Sequence, residues 1–207
     1  MGSEINQSKR APSIGGFTLI ELLTVLVISA IFAALAMPSW SQHIEASQIS
    51  SATQLLLGTL QLARSEAITR RATVVICRSA DANRPSPSCS GTAAGGYDAR
   101  DWAVGWMVFV KASSNLINTA FEDGDRLLAR QPPVGVSAPA TARALVWSNA
   151  AAPSFTFIDT GLMRGTARTF SIDYAVNPAG YTGVLTSARA RQIVINFAGR
   201  ARISKTP

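Results

Sequence analysis

Few side chains in this chain of 207 residues could carry out nucleophilic or metal chemistry. The sequence contains one histidine, His43, and two cysteines, Cys77 and Cys89. A four-ligand zinc site or an iron–sulfur centre needs more soft ligands than these three residues supply. His43 lies at the start of a helical pattern, far along the chain from either thiol, so we expect no catalytic Cys–His pair. The sequence therefore predicts no metal, no cofactor, no small-molecule substrate and no enzymatic activity.

Acidic side chains form one short cluster, Glu122-Asp123-Gly124-Asp125. This cluster resembles a fragment of a calcium-binding loop. It lacks the downstream glutamate and the alternating spacing of an EF-hand. We favour a plain acidic turn, with a calcium site as the alternative.

Basic side chains are concentrated in the last two fifths of the chain. The whole chain has a net charge of +7, and residues 126–207 hold ten Lys and Arg against two acids, a net charge of +8. Such asymmetry indicates an anionic partner, either nucleic acid or a membrane surface. A solvated face that keeps the protein soluble is the alternative.

An apolar run of 21 residues, Phe17 to Met37, carries only one charge, that of Glu21. At about 1.5 Å per residue the run is as long as a bilayer's hydrocarbon core is thick. Because Lys9 and Arg10 precede it, we expect a cytoplasmic amino terminus and an extracytoplasmic domain after a single span. An ordinary secretory signal cleaved near residues 34–36 is the alternative, but a disposable signal would not offset the roughly 2–3 kcal/mol that an acid costs there.

The residues around the start of this run, Ile14-Gly15-Gly16-Phe17-Thr18-Leu19-Ile20-Glu21-Leu22, resemble the class III leader of type IV prepilins and type II secretion pseudopilins. The resemblance implies that a prepilin peptidase removes residues 1–16 by cutting after Gly16, and that the new terminal Phe17 is N-methylated. It also implies that Glu21 pairs with the terminal amine of a neighbouring subunit during filament assembly. A tolerated acid near one end of the span is the alternative role of Glu21.

The remaining pattern predicts one long helix followed by strands. Beyond Pro38, apolar residues recur at spacings of three or four at Ile49, Ala52, Leu56, Leu60, Ala63 and Ala67. We therefore predict a membrane or filament-core helix over 17–37, an amphipathic helix over 38–71 and a β-rich globular domain over 72–207. Candidate strands are Thr73–Cys77, Val104–Lys111, Arg143–Trp147, Ser154–Asp159, Arg168–Asp173, Gln192–Phe197 and Arg200–Ser204. Residues 79–100 and 131–142 are predicted loops. The fold class is α+β, a pilin-like long helix packed on an antiparallel sheet.

The two cysteines flank part of the first predicted loop. In an extracytoplasmic compartment, a pair that closes so short a loop favours a Cys77–Cys89 disulfide over two free thiols. Such a bond would stabilise the domain by about 3 kcal/mol.

Four further segments are similar to the GspH/FimT family of minor pilins and pseudopilins: residues 63–67 (ARSEA), 74–77, 102–109 (WAVGWMVF) and 199–202 (GRAR). The resemblance implies a filament subunit of the bacterial inner membrane and periplasm that assembles with other pilins. Because the G-R-x-R element is similar to the one by which FimT-type pilins bind DNA, we expect a DNA-binding minor pilin of natural transformation. The alternatives are a GspH-type pseudopilin of a type II secretion system and a secreted domain.

The last two predicted strands place the basic residues. A two-residue loop at Ala198-Gly199 would set Phe197 opposite Arg200 and Ile195 opposite Arg202. The arginines would then share a face with apolar residues, so either this face is partly covered or the register is wrong. The predicted DNA-binding residues are Arg189, Arg191, Arg200, Arg202 and Lys205, with phosphate oxygens as their ligands. We expect Arg64 and Arg71, on the helix, to contribute little. A solvated basic edge or a contact with an acidic neighbouring subunit is the alternative.

Overall fold

A computed structural model describes residues 16–90, 98–112, 119–134, 142–175 and 181–205, without the side chains of residues 35–41 and 205. Apart from Gly16, the predicted leader lies outside these residues. The chain divides into two compact units, residues 1–42 and residues 43–207.

One helix, α1 (Leu19–Arg70), contributes to both units. Thr18 caps its amino terminus, since its hydroxyl accepts a hydrogen bond from the Glu21 N–H at 3.3 Å. At the other end Arg71 takes a left-handed conformation, and the Ala72 N–H donates to the Ala67 carbonyl at 3.2 Å, which ends the helix. Among the described residues, no helix is both long and apolar enough to cross a membrane. The span predicted over 17–37 extends into residues 35–37, whose side chains lie outside the description.

In the second unit, the buried face of α1 is the predicted one. Each of its six apolar residues is 2% exposed or less: Ile49, Ala52, Leu56, Leu60, Ala63 and Ala67. They join one core with the inner faces of two sheets. The amphipathic pattern is confirmed because spacings of three and four place all six residues on one side of a helix.

Within the described residues, nine strands form two antiparallel sheets. The strands are β1 (Val74–Arg78), β2 (Trp106–Val110), β3 (Arg126–Gln131), β4 (Arg143–Ser148), β5 (Ser154–Phe157), β6 (Met163–Arg164), β7 (Arg168–Ala175), β8 (Arg191–Ile195) and β9 (Ala201–Lys205). The first sheet has the order β3-β2-β1-β5-β6 and the second β4-β7-β8-β9. The rings of Trp102, Phe155 and Phe170 contact one another in the core, with centroids 5.3–6.0 Å apart. The predicted α+β, pilin-like fold class is confirmed.

All seven predicted strands are present, with ends shifted by a few residues, and the described residues contain three further elements that the sequence does not predict. Strand β3 contains no β-branched residue and β6 has only two residues, so neither gives a strand pattern. Val104, predicted to begin a strand, instead ends a 3₁₀ helix (Trp102–Val104). Asp101 caps this helix, because its carboxylate accepts a hydrogen bond from the Ala103 N–H at 2.9 Å.

The predicted disulfide joins Cys77 on β1 to Cys89 in the following loop. Next to it, the buried Arg78 guanidinium donates to the carbonyls of Asp101 and Asp98, at 2.8 and 3.1 Å. Burial lowers the pKa of Arg78, which the neighbouring aspartates partly offset. The Cys77–Cys89 disulfide and the Arg78 guanidinium together hold the loop after β1 against the first sheet.

The acidic cluster of residues 122–125 is a turn, two of whose carboxylates pair with Lys111. The buried Lys111 ammonium lies 2.8 Å from Asp125 and 2.9 Å from Glu122. Burial alone would raise the pKa of Asp125, but hydrogen bonds from Lys111 and two backbone N–H groups hold it below its usual value. Within the described residues, no group of three or more His, Cys, Asp or Glu side chains could hold a metal ion. Two of the three carboxylates of this cluster are thus paired with the Lys111 ammonium.

Candidate nucleic-acid interface

The loop between β8 and β9 presents the predicted G-R-x-R element. The Gly199 N–H donates to the Asn196 carbonyl at 2.9 Å, and the Asn196 N–H donates to the Arg200 carbonyl at 3.2 Å. Gly199 has a φ of +70°, and the Asn196 side-chain oxygen accepts a hydrogen bond from the Arg200 N–H at 3.0 Å. This is a three-residue hairpin loop whose last residue needs a left-handed conformation, and glycine supplies it at little cost.

The predicted two-residue loop is therefore wrong. The third loop residue shifts the register by one, so that Ile195 faces Ala201 and Val194 faces Arg202. A shift of one residue moves a strand's side chains to the opposite face. Ile195 consequently stays in the core, and Arg202 lies beside the exposed Val194 on the outer face. The expected conflict between arginines and apolar residues is removed.

The shift also separates the predicted basic residues into two groups. Arg200 and Arg202 are exposed at the loop. Arg191 lies on the strand face that carries Ile195, where its guanidinium donates to the Arg189 carbonyl at 2.8 Å. Arg189 and Arg191 line a different groove, together with Ala46, Ile49, Ser50, Thr53, Gln54 and Ile203. Lys205 is the cross-strand partner of Arg191, and its side chain lies outside the description. The predicted cluster of four arginines on one face is thus not formed.

Arg64 of α1, rather than Arg189 or Arg191, lies beside the β8–β9 loop. Arg64 lines the same cleft as Arg200 and Arg202, and Leu60, Gln61, Gly199 and Ala201 complete its lining. The Arg64 Nε–H donates to the Gly161 carbonyl at 3.1 Å, an anchor that leaves the outer edge of its guanidinium for another ligand. We call Arg64, Arg200 and Arg202 the cationic cleft. Arg64, which the sequence predicts to contribute little, thus lines the same cleft as the two exposed arginines of the loop.

The turn between β5 and β6, which also contains a glycine with a positive φ, packs against the β8–β9 loop. Between β5 and β6, the Gly161 N–H donates to the Ile158 carbonyl at 2.8 Å, and Gly161 has a φ of +76°. The two turns touch, since the Met163 N–H donates to the Phe197 carbonyl at 3.0 Å. A Cβ atom on Gly199 would lie only 2.2 Å from the Gly161 carbonyl oxygen. The predicted strand Ser154–Asp159 extends two residues into this turn, although Asp159-Thr160-Gly161 is a turn signal that marks it.

The cationic cleft is strongly positive. Arg64, Arg200 and Arg202 form no ion pair with a carboxylate of the described residues. Of the two acids in residues 126–207, Asp173 is buried and accepts hydrogen bonds from Tyr181, Thr186 and Ser187, while Asp159 is exposed in the neighbouring turn. Three guanidiniums on one cleft can bind the oxygens of a phosphate or a carboxylate.

Comparison with known proteins identifies the family. The model of the family described as "Type II transport protein GspH" matches residues 52–199, and that of the prokaryotic N-terminal methylation motif matches residues 13–37. No curated protein sequence matches the chain.

Two crystal structures of the type IV minor pilin FimU from Pseudomonas aeruginosa are similar to it. One, in space group P65, is 23% identical over 75% of this chain and 91% of FimU, with a TM-score of 0.44. The other, in space group P21, is 25% identical over 78% of this chain and 90% of FimU, with a TM-score of 0.46.

The class of protein is therefore a type IV pilin-like protein with an N-terminal methylation motif. The chain belongs to the GspH family, since the family model covers well over half of its length. The predicted resemblance to minor pilins and pseudopilins is confirmed at this level. Membership implies assembly with other pilins and a leader that a peptidase removes.

Proposed function

We propose that this chain is a minor type IV pilin of the pilus tip that binds DNA without sequence preference during natural transformation. The cationic cleft is the observation that supports this proposal. Arginine guanidiniums form charge-assisted, fork-like hydrogen bonds to phosphate oxygens. Contacts with phosphates position a protein on DNA without reading its bases, so we expect no preference among duplex sequences.

The position of the cleft suits this role. The two glycine turns and Arg64 fix the backbone that carries Arg200 and Arg202, while both side chains remain exposed. A fixed backbone with free guanidiniums lowers the ordering cost of binding. Arg189 and Arg191 lie outside the cleft and would add only to the surrounding positive field.

A second candidate is a GspH-type minor pseudopilin of a type II secretion system. The description of the matching family model favours it. In that case the cationic cleft would bind acidic side chains of a neighbouring subunit rather than DNA. The neighbouring genes would separate the two candidates. A pilus-assembly cluster would support the minor pilin, and a type II secretion operon would support the pseudopilin.

The amino-terminal segment would serve assembly in either case. The methylation motif supports cleavage between Gly16 and Phe17, N-methylation of Phe17, and a single-pass anchor with a periplasmic domain. We assign Glu21 the role of binding the terminal amine of a neighbouring subunit, because a carboxylate in an apolar run needs a cationic partner.

Binding of fluorescent duplex DNA to the full chain in mild detergent, at low salt, tests the DNA proposal. We expect Arg200→Gln/Arg202→Gln to bind far more weakly and to reduce natural transformation, with no loss of folding, since both side chains are exposed.

The matched control is Arg126→Gln. Arg126 is an exposed arginine on β3, about 19 Å and four strands away from β6, the strand beside the cleft. Equal losses per removed charge from the cleft and control variants would mean that bulk charge, not a site, attracts DNA. No DNA binding by the native chain would favour the secretion pseudopilin.

A further inference from the structure

Among the described residues of the second unit, one aromatic ring is exposed. Phe197, in the β8–β9 loop, is 61% exposed. Every other described Phe, Trp and Tyr of residues 43–207 is buried or half-buried. The Phe197 ring makes no aromatic or cation–π contact with another described side chain. Exposure of this ring leaves a large apolar surface in water, and Phe197 belongs to neither hydrophobic core cluster of the described residues.

The loop itself does not need a phenylalanine at this position. Phe197 is the second residue of the turn that begins at Asn196, a position that accepts most residue types. Its backbone, by contrast, is fixed, because the Phe197 carbonyl accepts a hydrogen bond from the Met163 N–H at 3.0 Å. The fold therefore holds an open aromatic face at a defined place.

That place is next to the cationic cleft. Phe197 and Arg200 are three residues apart in one tight loop, so their Cα atoms are at most about 11 Å apart. A positively charged groove beside an exposed aromatic ring is the combination that binds single-stranded nucleic acid. The arginines hold the sugar-phosphate backbone, and the ring stacks on a base that has no partner strand.

We propose that Phe197 is a stacking platform for an unpaired base, and that the cationic cleft prefers single-stranded DNA to duplex. This inference rests on the proposed function in DNA binding. In a duplex the bases are already stacked on each other, so only the phosphates are available to the cleft. Stacking on an aromatic side chain tolerates every base, because each base has a π-face.

A neighbouring filament subunit is the competing occupant of this surface. Leu162, in the adjacent turn, is 46% exposed and could extend an apolar contact. We favour a nucleic acid because the three arginines beside the ring form no ion pair with a described carboxylate, and a strand of DNA supplies both anions and flat rings. An apolar subunit contact alone would leave those charges unmatched, and a neighbouring subunit would have to supply acidic side chains as well as an apolar patch.

The test compares three probes of equal length on the full chain: a thymine single strand, a duplex, and an abasic single strand that keeps the phosphates. We expect the thymine strand to bind at least about fivefold more tightly than the abasic strand, and more tightly than the duplex. Phe197→Ala should weaken binding of the thymine strand by roughly 5- to 150-fold and change the affinity for the duplex and the abasic strand by less than about twofold. Phe197→Trp should keep the preference, because tryptophan also offers a π-face. Leu162→Ala is the matched control and should leave all three affinities unchanged.

The outcomes separate this inference from the proposed function. If all three probes bind equally and Phe197→Ala has no effect, while Arg200→Gln/Arg202→Gln still weakens binding, the stacking proposal is overturned and DNA binding stands. If no probe binds at low salt, both fail. If Phe197→Ala impairs filament incorporation and leaves DNA affinity unchanged, Phe197 contacts a neighbouring subunit and the stacking proposal is again overturned.

Discussion

Replacement of Gly199 by alanine tests the contact between the two glycine turns that supports the cleft. The new Cβ atom would lie 2.2 Å from the Gly161 carbonyl oxygen and 3.1 Å from a ring carbon of Phe157. It would also force alanine into a φ of +70°. A left-handed conformation costs about 1–2 kcal/mol for a residue with a Cβ atom. Overpacking against neighbours that cannot move freely costs a further 1–3 kcal/mol or so. We therefore expect Gly199→Ala to lower the free energy of unfolding by about 2–5 kcal/mol.

Two other glycines separate these contributions. Gly165 has a φ of +100° but nothing within 4 Å of an added Cβ atom, so Gly165→Ala should show the backbone cost alone. Gly58 lies inside α1, also with nothing within 4 Å of the added atom. Gly58→Ala should stabilise the protein by about 0.5–1 kcal/mol, because glycine weakens a helix interior. The expected order of stability is Gly58→Ala, wild type, Gly165→Ala and then Gly199→Ala.

Denaturant unfolding followed by tryptophan fluorescence measures this order. Trp102, Trp106 and Trp147 are all buried in the second unit, so their emission reports its unfolding. Gly199→Ala should also lower the melting temperature by roughly 4–20 °C, at about 2–4 °C per kcal/mol for a unit of this size. A loss for Gly199→Ala no larger than that for Gly165→Ala would refute the contact between the turns.

Three further predictions concern processing, assembly and the buried ion pair. Gly16→Ala should block leader removal, and mass spectrometry of the wild-type protein should find a mature amino terminus at N-methylated Phe17; a mature form that begins at residue 37 would support an ordinary signal instead. Glu21→Val should be cleaved normally but enter filaments poorly, as immunoblotting of sheared filaments would show; normal incorporation would remove the pairing argument. Lys111→Met should cost about 3–5 kcal/mol in urea unfolding, because it leaves the carboxylate of Asp125, 2% exposed, without its cation. Because the pKa of Asp125 is lowered in the folded state, its contribution to stability is complete above about pH 4 and is lost as the pH falls through the folded pKa. Asp125→Asn should lack this acid-sensitive part of the stability, and an unchanged acid profile in that variant would contradict the assignment.

Local patterns account for what could be predicted from the sequence. The buried face of α1 follows from spacings of three and four, a property of the helix itself. The disulfide follows from the closeness of Cys77 and Cys89 in the sequence and the compartment expected for the domain. Most strands follow from runs of β-branched and aromatic residues. Each of these features depends on a segment's own residues.

The candidate site depends instead on contacts between distant segments. The spacing predicts a two-residue β8–β9 loop, whereas the observed loop has a third residue, Gly199, with a positive φ, and it packs against Gly161 of another hairpin. The sequence predicts little contribution from Arg64, and its place beside Arg200 and Arg202 could not be predicted, because 97 residues separate it from Gly161, the residue that anchors it. Nothing in the spacing of either segment indicates that they meet.

The salt dependence of duplex binding tests the central claim most directly. Log affinity falls with log salt at a slope of about −0.9 for each phosphate contact, so three cleft arginines predict a slope of roughly −2.7. Arg200→Gln/Arg202→Gln should flatten that slope to about −0.9, and Arg64→Gln alone to about −1.8, whereas Arg126→Gln should leave it unchanged. Fluorescence anisotropy of the full chain across ~50 to ~200 mM salt measures all four slopes. A slope that the cleft variants leave unchanged, or that Arg126→Gln flattens equally, would contradict a phosphate-binding site at Arg64, Arg200 and Arg202.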